Sequence, residues 1–336
     1  MELHQITTNL PFVCFGESRI GGRSENQDSF GYADTAFGLL ITVCDGMGGG
    51  PGGKTASSIA VKEIIDRVSE TNSDETPANA LLQAIQGANL AILEAAMENP
   101  RLRGMGSTCT ALLISKKSAI IAHVGDSRVY QLRGHHKVFR TFDHSMVFGL
   151  VKEKVITEEQ ARLSEQSNII TRALGLKQEL EVDIVERSYN KGDRFMLCTD
   201  GIHGTMPEPE LINRITEKGN IGQVVDNVAT FVDSEGRKNG GGHDNLTIVI
   251  VETQTRSILR EKMSKPNKII LIGIAALLAV SVALNITLCS KSKKAVDLEK
   301  DQTVVYDSIK FNADSSQIDV HANGIEYQFI MTPSEK

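Results

Sequence analysis

The sequence predicts an α+β domain rich in sheet, followed by one membrane-spanning helix and a short β-rich tail. Three observations carry this reading: apolar runs bounded by Gly and Asp turns, two stretches with helical apolar spacing, and a 21-residue uncharged run from Ile269 to Cys289. The runs Phe37 to Val43, Thr108 to Ile114, Ala119 to Val124, Arg194 to Cys198 and Leu246 to Val251 are read as strands. In Lys54 to Val68, Ile59, Ala60, Ile64 and Val68 recur at helical spacing, and Leu81, Leu82, Ile85, Ala88 and Ile92 do the same in Ala78 to Met97. Thr157 with Gln160 makes a capping box that opens a short third helix. That helix lies in a polar stretch, Ser145 to Asn168, which carries little core signal and is expected to form a flap over the domain.

The uncharged run would measure about 31 Å as a helix, close to the hydrocarbon thickness of a bilayer, and is read as a single span. Arg256, Arg260, Lys262, Lys265 and Lys268 precede it, against Lys291, Lys293 and Lys294 after it, a slight positive-inside bias toward the N-terminal side. The opening MELHQITTNL has neither a basic start nor an apolar core, so a secretory signal is not expected and the first domain is placed in the cytoplasm. The expected organisation is a folded domain over 1–255, a basic juxtamembrane linker over 256–268, the span over 269–289 and an extracytoplasmic tail over 290–336. Alternation from Thr303 to Phe311 and on both sides of Asn323-Gly324 predicts a small three-stranded sheet in the tail. Ala275, Ala279 and Ala283 give the span a small-residue face through which two copies could pair as a homodimer.

Composition excludes several classes. With 36 basic and 42 acidic residues mixed along 336 and a net charge of −6, the chain has no electropositive footprint for nucleic acid. Cys14, Cys44, Cys109, Cys198 and Cys289 are widely spaced, so neither a zinc knuckle nor a disulfide framework is expected, and the first four are read as strand residues. His123, His144, His203 and His243 are scattered without ligand spacing, and a zinc reading is set aside. GGGPGGKT at Gly48 to Thr55 fits the P-loop expression, but an Asp-Gly pair precedes it where a parallel strand should feed it, and nucleotide binding is also set aside.

Five aspartates stand at strand ends or turns: Asp28, Asp45, Asp126, Asp200 and Asp244. Each alone is an ordinary turn residue. Asp45, Asp200 and Asp244 each abut an apolar strand, however, so a sheet could deliver three carboxylates to one edge, where hard oxygen donors suit Mg²⁺ or Mn²⁺.

RxxNQD at Arg23 to Asp28, DGMGG at Asp45 to Gly49, GST at Gly106 to Thr108 and GDSR at Gly125 to Arg128 occur in order. DHS at Asp143 to Ser145, RALG at Arg172 to Gly175, CTDG at Cys198 to Gly201 and DNLT at Asp244 to Thr247 follow. The eight together resemble the metal-dependent type 2C (PPM) protein phosphatases in their compact bacterial form, over about residues 10 to 253. The resemblance implies a four-layer α/β/β/α sandwich of two mostly antiparallel sheets with helices outside. It implies Asp45 as the carboxylate bridging two Mn²⁺ or Mg²⁺ ions, Gly46 assisting through its carbonyl, Asp200 and Asp244 completing the first ion's shell, and Asp28 supporting the second. Asp126 would contribute to a third, weaker ion, and Arg23 would bind the substrate phosphate. The implied reaction is hydrolysis of phosphoserine and phosphothreonine on cytoplasmic proteins, substrates of a membrane-bound kinase, by a metal-bridged hydroxide. The alternative is a non-catalytic phosphoprotein-binding or sensing module on the same fold. Met47 stands where some relatives have His, Gln27 where many have Glu, Gly50 where His is frequent, and Ser164-Glu165 where His-Pro is common. None of these departures removes a metal carboxylate.

Overall fold

The computed structural model describes residues 3–48, 52–72, 74–164 and 166–260, together with the backbone of three strands between 306 and 330. The described chain falls into two compact units, 1–260 and 261–336.

The first half of the larger unit runs β1 (His4–Ile6), β2 (Phe12–Arg19), β3 (Asp28–Thr35), β4 (Gly38–Met47), α1 (Gly52–Glu70), α2 (Pro77–Glu98), β5 (Gly106–Ser107), β6 (Cys109–Ile114) and β7 (Ala119–Val124). It continues with β8 (Arg128–Arg133), β9 (His136–Arg140), α3 (Met146–Lys152), α4 (Glu158–Arg162), β10 (Asp183–Arg187) and β11 (Arg194–Cys198). The helices α5 (Asp200–His203), α6 (Glu208–Ile215) and α7 (Ile221–Lys238) precede the last strand, β12 (Leu246–Thr253). One sheet has the order β1-β2-β12-β11-β8-β9 and the other β10-β7-β6-β4-β3, with β5 pairing to the end of β4. The pairings in both sheets are antiparallel.

Alternation along the central strands builds three apolar cores and therefore four layers. Leu39, Ile41 and Val43 of β4 face Phe195 and Leu197 of β11 and Val249 and Val251 of β12 between the sheets. The intervening Leu40 and Cys44 join Ala56, Ala60, Ile64, Leu81, Ile85 and Ile92 beneath α1 and α2. On the far side, Met196, Cys198, Ile248 and Ile250 pack under Val224, Val225 and Val228 of α7. These strands are covered on both faces, which is why they read as continuous apolar runs. The four-layer sandwich implied by the motifs is what the chain forms. Cys14, Cys44, Cys109 and Cys198 are free and buried in β2, β4, β6 and β11, and Cys289 lies outside the described residues.

The expected strand from Thr108 begins one residue later, at Cys109, because Thr108 N–H bonds back to the Asp45 carbonyl while Ser107 pairs with Gly46. The capping box at Thr157 forms as expected. The flap carries more core than its polarity suggests, since Val147, Phe148 and Ala161 make a small buried cluster of their own. Residues 49–51 of the Gly-rich run lie outside the described residues, but its flanks do not match a P-loop: β4 pairs antiparallel on both sides, and Lys54 Nζ donates to the Asp28 carbonyl at 2.9 Å and to Ser29 Oγ at 3.1 Å. Among the described residues one helix, α2, is long and apolar enough to cross a membrane. Its buried Leu81, Ala84, Ile85, Ala88 and Ile92 belong to the helix–sheet core.

The expected boundary at residue 255 falls five residues short of the compact unit's end at Arg260. The backbone amides of Ser257, Ile258 and Leu259 donate to the carbonyls of Tyr189, Lys116 and Lys117 at 3.0, 2.9 and 2.8 Å. The span expected at 269–289 lies outside the described residues. In the smaller unit, β13 (Tyr306–Asn312), β14 (Gln317–Ala322) and β15 (Ile325–Ile330) form a three-stranded antiparallel sheet, with Ala322 paired to Ile325 across the Asn-Gly position.

Candidate metal centre

Antiparallel topology brings six strand ends to one edge of the sandwich. Asp28 opens β3 and pairs directly with Asp45 near the end of β4, so the two carboxylates share a face. Asp126 sits in the turn between β7 and β8, Asp200 follows β11 as the first residue of α5, and Asp244 immediately precedes β12. Arg23, Asp45, Gly46, Asp126, Asp200 and Asp244 line one cavity of about 490 Å³. Asp28 lies beneath it, 2% exposed. The seven residues singled out in the sequence are thus gathered in one place.

The neighbouring motifs hold these groups by their backbone. Asp45 N–H donates to Thr108 Oγ1 at 2.9 Å, and its carbonyl accepts from Thr108 N–H at 2.8 Å and Ser107 Oγ at 3.0 Å. Thr108 Oγ1 is joined to Ser127 Oγ at 2.7 Å, tying β6 to the turn that carries Asp126. Asn245 clamps the loop bearing Arg23: its Oδ1 accepts from Gln27 N–H at 2.8 Å and its Nδ2 donates to the carbonyls of Ile20 and Glu25 at 2.8 and 2.9 Å. A β-carbon on Gly46 would lie 1.9 Å from the Gly53 carbonyl oxygen, so this position requires glycine.

Thr199 and Thr247, to which the sequence reading gave no role, fix Asp28. Their hydroxyls donate to Asp28 Oδ2 at 2.9 and 2.7 Å, and Thr247 N–H donates to Thr199 Oγ1 at 3.0 Å. The other oxygen, Asp28 Oδ1, is buried without a partner, as is Asp200 Oδ1.

Burial and mutual repulsion oppose ionisation throughout. Burial, partly offset by the two threonine bonds and reinforced by Asp200 and Asp244, pushes Asp28 up to about 7. Burial and Asp244 push Asp200 up to about 6. Asp45 is driven well above the carboxylate range by burial and by Asp28 and Asp200, and Asp126 likewise by burial and Asp200. Two orphaned buried carboxylate oxygens within a set of hard oxygen donors fit divalent cations of the Mg²⁺ and Mn²⁺ class. Arg23 Nη2 lies 3.0 Å from Asp244 Oδ2 at the exposed mouth.

A second cavity of about 450 Å³ continues from Asp126, Asp200 and Asp244 under the flap to Phe148, Arg162 and His203. Its floor is rigid. Arg128 Nε and Nη2 donate to the two oxygens of Asp143 at 2.7 and 2.6 Å, and Phe148 covers the guanidinium at 4.9 Å. His203 Nε2 lies 3.0 Å from the Asp126 carbonyl oxygen, fixing the same turn from below.

The model of the family described as protein phosphatase 2C matches residues 15–240. The chain is 33% identical to serine/threonine phosphatase stp of Listeria monocytogenes over 234 residues, covering 68% of this chain and 91% of that protein. It is also 33% identical over 251 residues to serine/threonine protein phosphatase PstP of Mycobacterium tuberculosis, covering 72% of this chain and 46% of that one. Among solved structures, serine/threonine phosphatase Stp1 of Staphylococcus aureus superposes with a TM-score of 0.66 at 30% identity, covering 74% of this chain and 97% of its own. The catalytic domain of PstP, in complex with two manganese ions, superposes at 0.60 with 28% identity, covering 72% of this chain and 97% of its own.

Proposed function

Since this chain belongs to the protein phosphatase 2C family and is a serine/threonine protein phosphatase of that type, we propose that its carboxylate cluster holds two Mn²⁺ or Mg²⁺ ions for hydrolysis of phosphoserine and phosphothreonine. Asp45 would be shared by both ions, with Asp200 and Asp244 holding one, and Asp28 and the Gly46 carbonyl holding the other. Asp126, with Asp200, would hold a third, weaker ion. When bound, two such ions lower the pKa of water and neutralise charge on the phosphoryl oxygens. The chain's own residues do the rest. Arg23, at the mouth, exchanges its Asp244 contact for two phosphate oxygens and orients the phosphoryl group. Thr199 and Thr247 keep one oxygen of Asp28 occupied so that only the other is offered to the site. Met47, which lines the cavity after the Asp-Gly pair, supplies no proton, so the leaving oxygen takes one from water.

The observation that carries this reading is the pair of buried, unpartnered carboxylate oxygens among five converging aspartates. It favours turnover over a binding-only module, in which repulsion of this kind would have no use. The test is phosphate release from phosphothreonine peptides by the full-length chain, which should require Mn²⁺ or Mg²⁺, stop with chelator, and fall at least a thousandfold in Asp45→Asn. Release that survives chelation or the Asp45 substitution would sink it.

We further propose that the span at 269–289 tethers this domain to the cytoplasmic face of a membrane, with the tail outside as a small docking or sensing piece. The uncharged run and the denser basic residues before it support this reading. Protease added to spheroplasts should then remove the tail and spare the domain.

A further inference from the structure

The four histidines set aside as scattered are not all apart. His123 on β7 pairs directly with Asp183 on β10, and the loop after β9 brings His144 over His123 with ring centroids 4.5 Å apart and planes tilted by 37°. One donor atom from each of His123, His144 and Asp183 lies within 4.8 Å of the others. From this geometry we propose a second, separate cation site for a zinc-class ion, held by two imidazoles and one carboxylate on the side of the β7–β10 edge.

Two geometric features point to a ligand there, and the charge state of the ring agrees with them. His123 is 1% exposed, and although it lies near the Ser127 backbone, neither ring nitrogen makes a hydrogen bond of ordinary geometry. A buried polar ring with both nitrogens unpaired is costly unless something occupies one of them. Burial and the neighbouring His144 also push its pKa down to about 3, so the ring is neutral and its lone pair free. Finally, a cavity of about 440 Å³ lined by Ile121, His123, Phe139, Thr141, Asp183 and Ile184 opens on the cluster and leaves room for a fourth, exchangeable donor. Two nitrogens and one carboxylate suit zinc, whereas the all-oxygen centre around Asp45 suits magnesium and manganese.

The contacts already made by His144 say what such an ion would disturb. Its Nδ1 accepts from Gly125 N–H at 3.1 Å, while Nε2 lies 3.2 Å from Asp183 Oδ2 and 3.1 Å from Arg172 Nη1. Coordination through Nε2 places the proton of the neutral ring on Nδ1, so the Gly125 N–H loses its acceptor. Arg172 Nη1 must also leave Asp183, and Nη2 retains Glu181 at 2.6 Å. Gly125 precedes Asp126, so occupation of this site loosens the turn that presents Asp126 to the catalytic cavity. The site is therefore weaker than a structural zinc centre, and it is coupled to the carboxylate centre by one backbone bond.

The probe is Co²⁺ in place of zinc, titrated into the full-length chain with excess Mg²⁺ filling the oxygen centre. The intense visible absorption of four-coordinate Co²⁺ should appear, be displaced by Zn²⁺, disappear in His123→Leu and weaken at least tenfold in the half-exposed Asp183→Asn. Circular dichroism checks that both variants fold, and Asp183→Asn, at a surface position, keeps the test informative if His123→Leu does not. In parallel, stoichiometric Zn²⁺ should raise the Mn²⁺ concentration for half-maximal activity in the wild type and not in Asp183→Asn. No cobalt band, a band unchanged in both variants, or a zinc effect that persists in Asp183→Asn would overturn the proposal.

Discussion

Replacing Thr247 by valine conserves volume and removes one hydroxyl that donates to Asp28 Oδ2 at 2.7 Å. Thr199 remains at 2.9 Å, so the carboxylate keeps half of its anchor and gains freedom to turn its unpaired Oδ1 away from the cavity. A hydrogen bond to a charged group contributes about 1.5–3 kcal/mol. If Asp28 supports one of two ions, that loss corresponds to roughly a 10- to 100-fold weaker metal site, the range seen when the partner of a metal ligand is removed. Thr247→Val should therefore shift the Mn²⁺ activation curve to higher concentration by one to two decades, with kcat at saturating Mn²⁺ changed about threefold or less. Initial rates on a phosphopeptide across a Mn²⁺ series measure both quantities. An unshifted half-saturation point in a folded variant, or a fall in kcat that Mn²⁺ does not restore, would refute the assignment of Thr247 as the group that aims Asp28.

Arg23→Ala should raise KM for phosphopeptides and lower kcat/KM by about tenfold, the equivalent of about 1.4 kcal/mol, while the Mn²⁺ requirement stays put; a shift in the Mn²⁺ curve instead would mean that its pairing with Asp244 is its role. Arg128→Met leaves Asp143 buried without its bidentate partner and should cost about 3–5 kcal/mol in urea unfolding, with loss of less than about 1 kcal/mol counting against the pair as an anchor of the flap. His123 gives a pH dependence: its folded pKa of about 3 lies below the ordinary value of about 6.5, so the stability it contributes is present above pH 6.5 and is lost as pH falls toward 3. In chelator, wild type should lose about 2 kcal/mol more than His123→Leu between pH 7 and pH 5; parallel losses would exclude a buried neutral ring.

The central strands and the two helices beneath them were legible because burial on both faces leaves no polar alternation to confuse the pattern, as in Leu39 to Val43 and Ile248 to Val251. The carboxylates were legible because each Asp abuts an apolar strand, and the sheets bring those strand ends to one edge. α7 was overlooked although Ile221, Val224, Val225, Val228 and Val232 keep helical spacing, since Gly222 and Gly236 and a polar majority diluted the signal. The supporting roles of Thr199, Thr247 and Asn245 could not be read, because a hydroxyl or amide beside a strand looks like any β-former or turn residue until its partner is placed. His123 and His144 escaped for a related reason. They are 21 positions apart, and only the pairing of β7 with β10 and the return of the loop after β9 bring them together.

The direct pairing of Asp28 with Asp45 has a consequence for how this domain can change in length. The hairpin of β3 and β4 holds eight matched pairs from Asp28 and Asp45 down to Thr35 and Gly38, so the far turn is about 23 Å from the carboxylates. A substitution at that turn is remote from the cavity and should be silent for metal binding. Deletion of one residue within β3 is different, because side chains alternate between faces and a slip of one position sends Asp28 to the helix side of its sheet. The outer turn can therefore be lengthened or shortened without moving Asp28, whereas an odd-numbered indel inside either strand takes a carboxylate out of the cluster without altering a single aspartate codon.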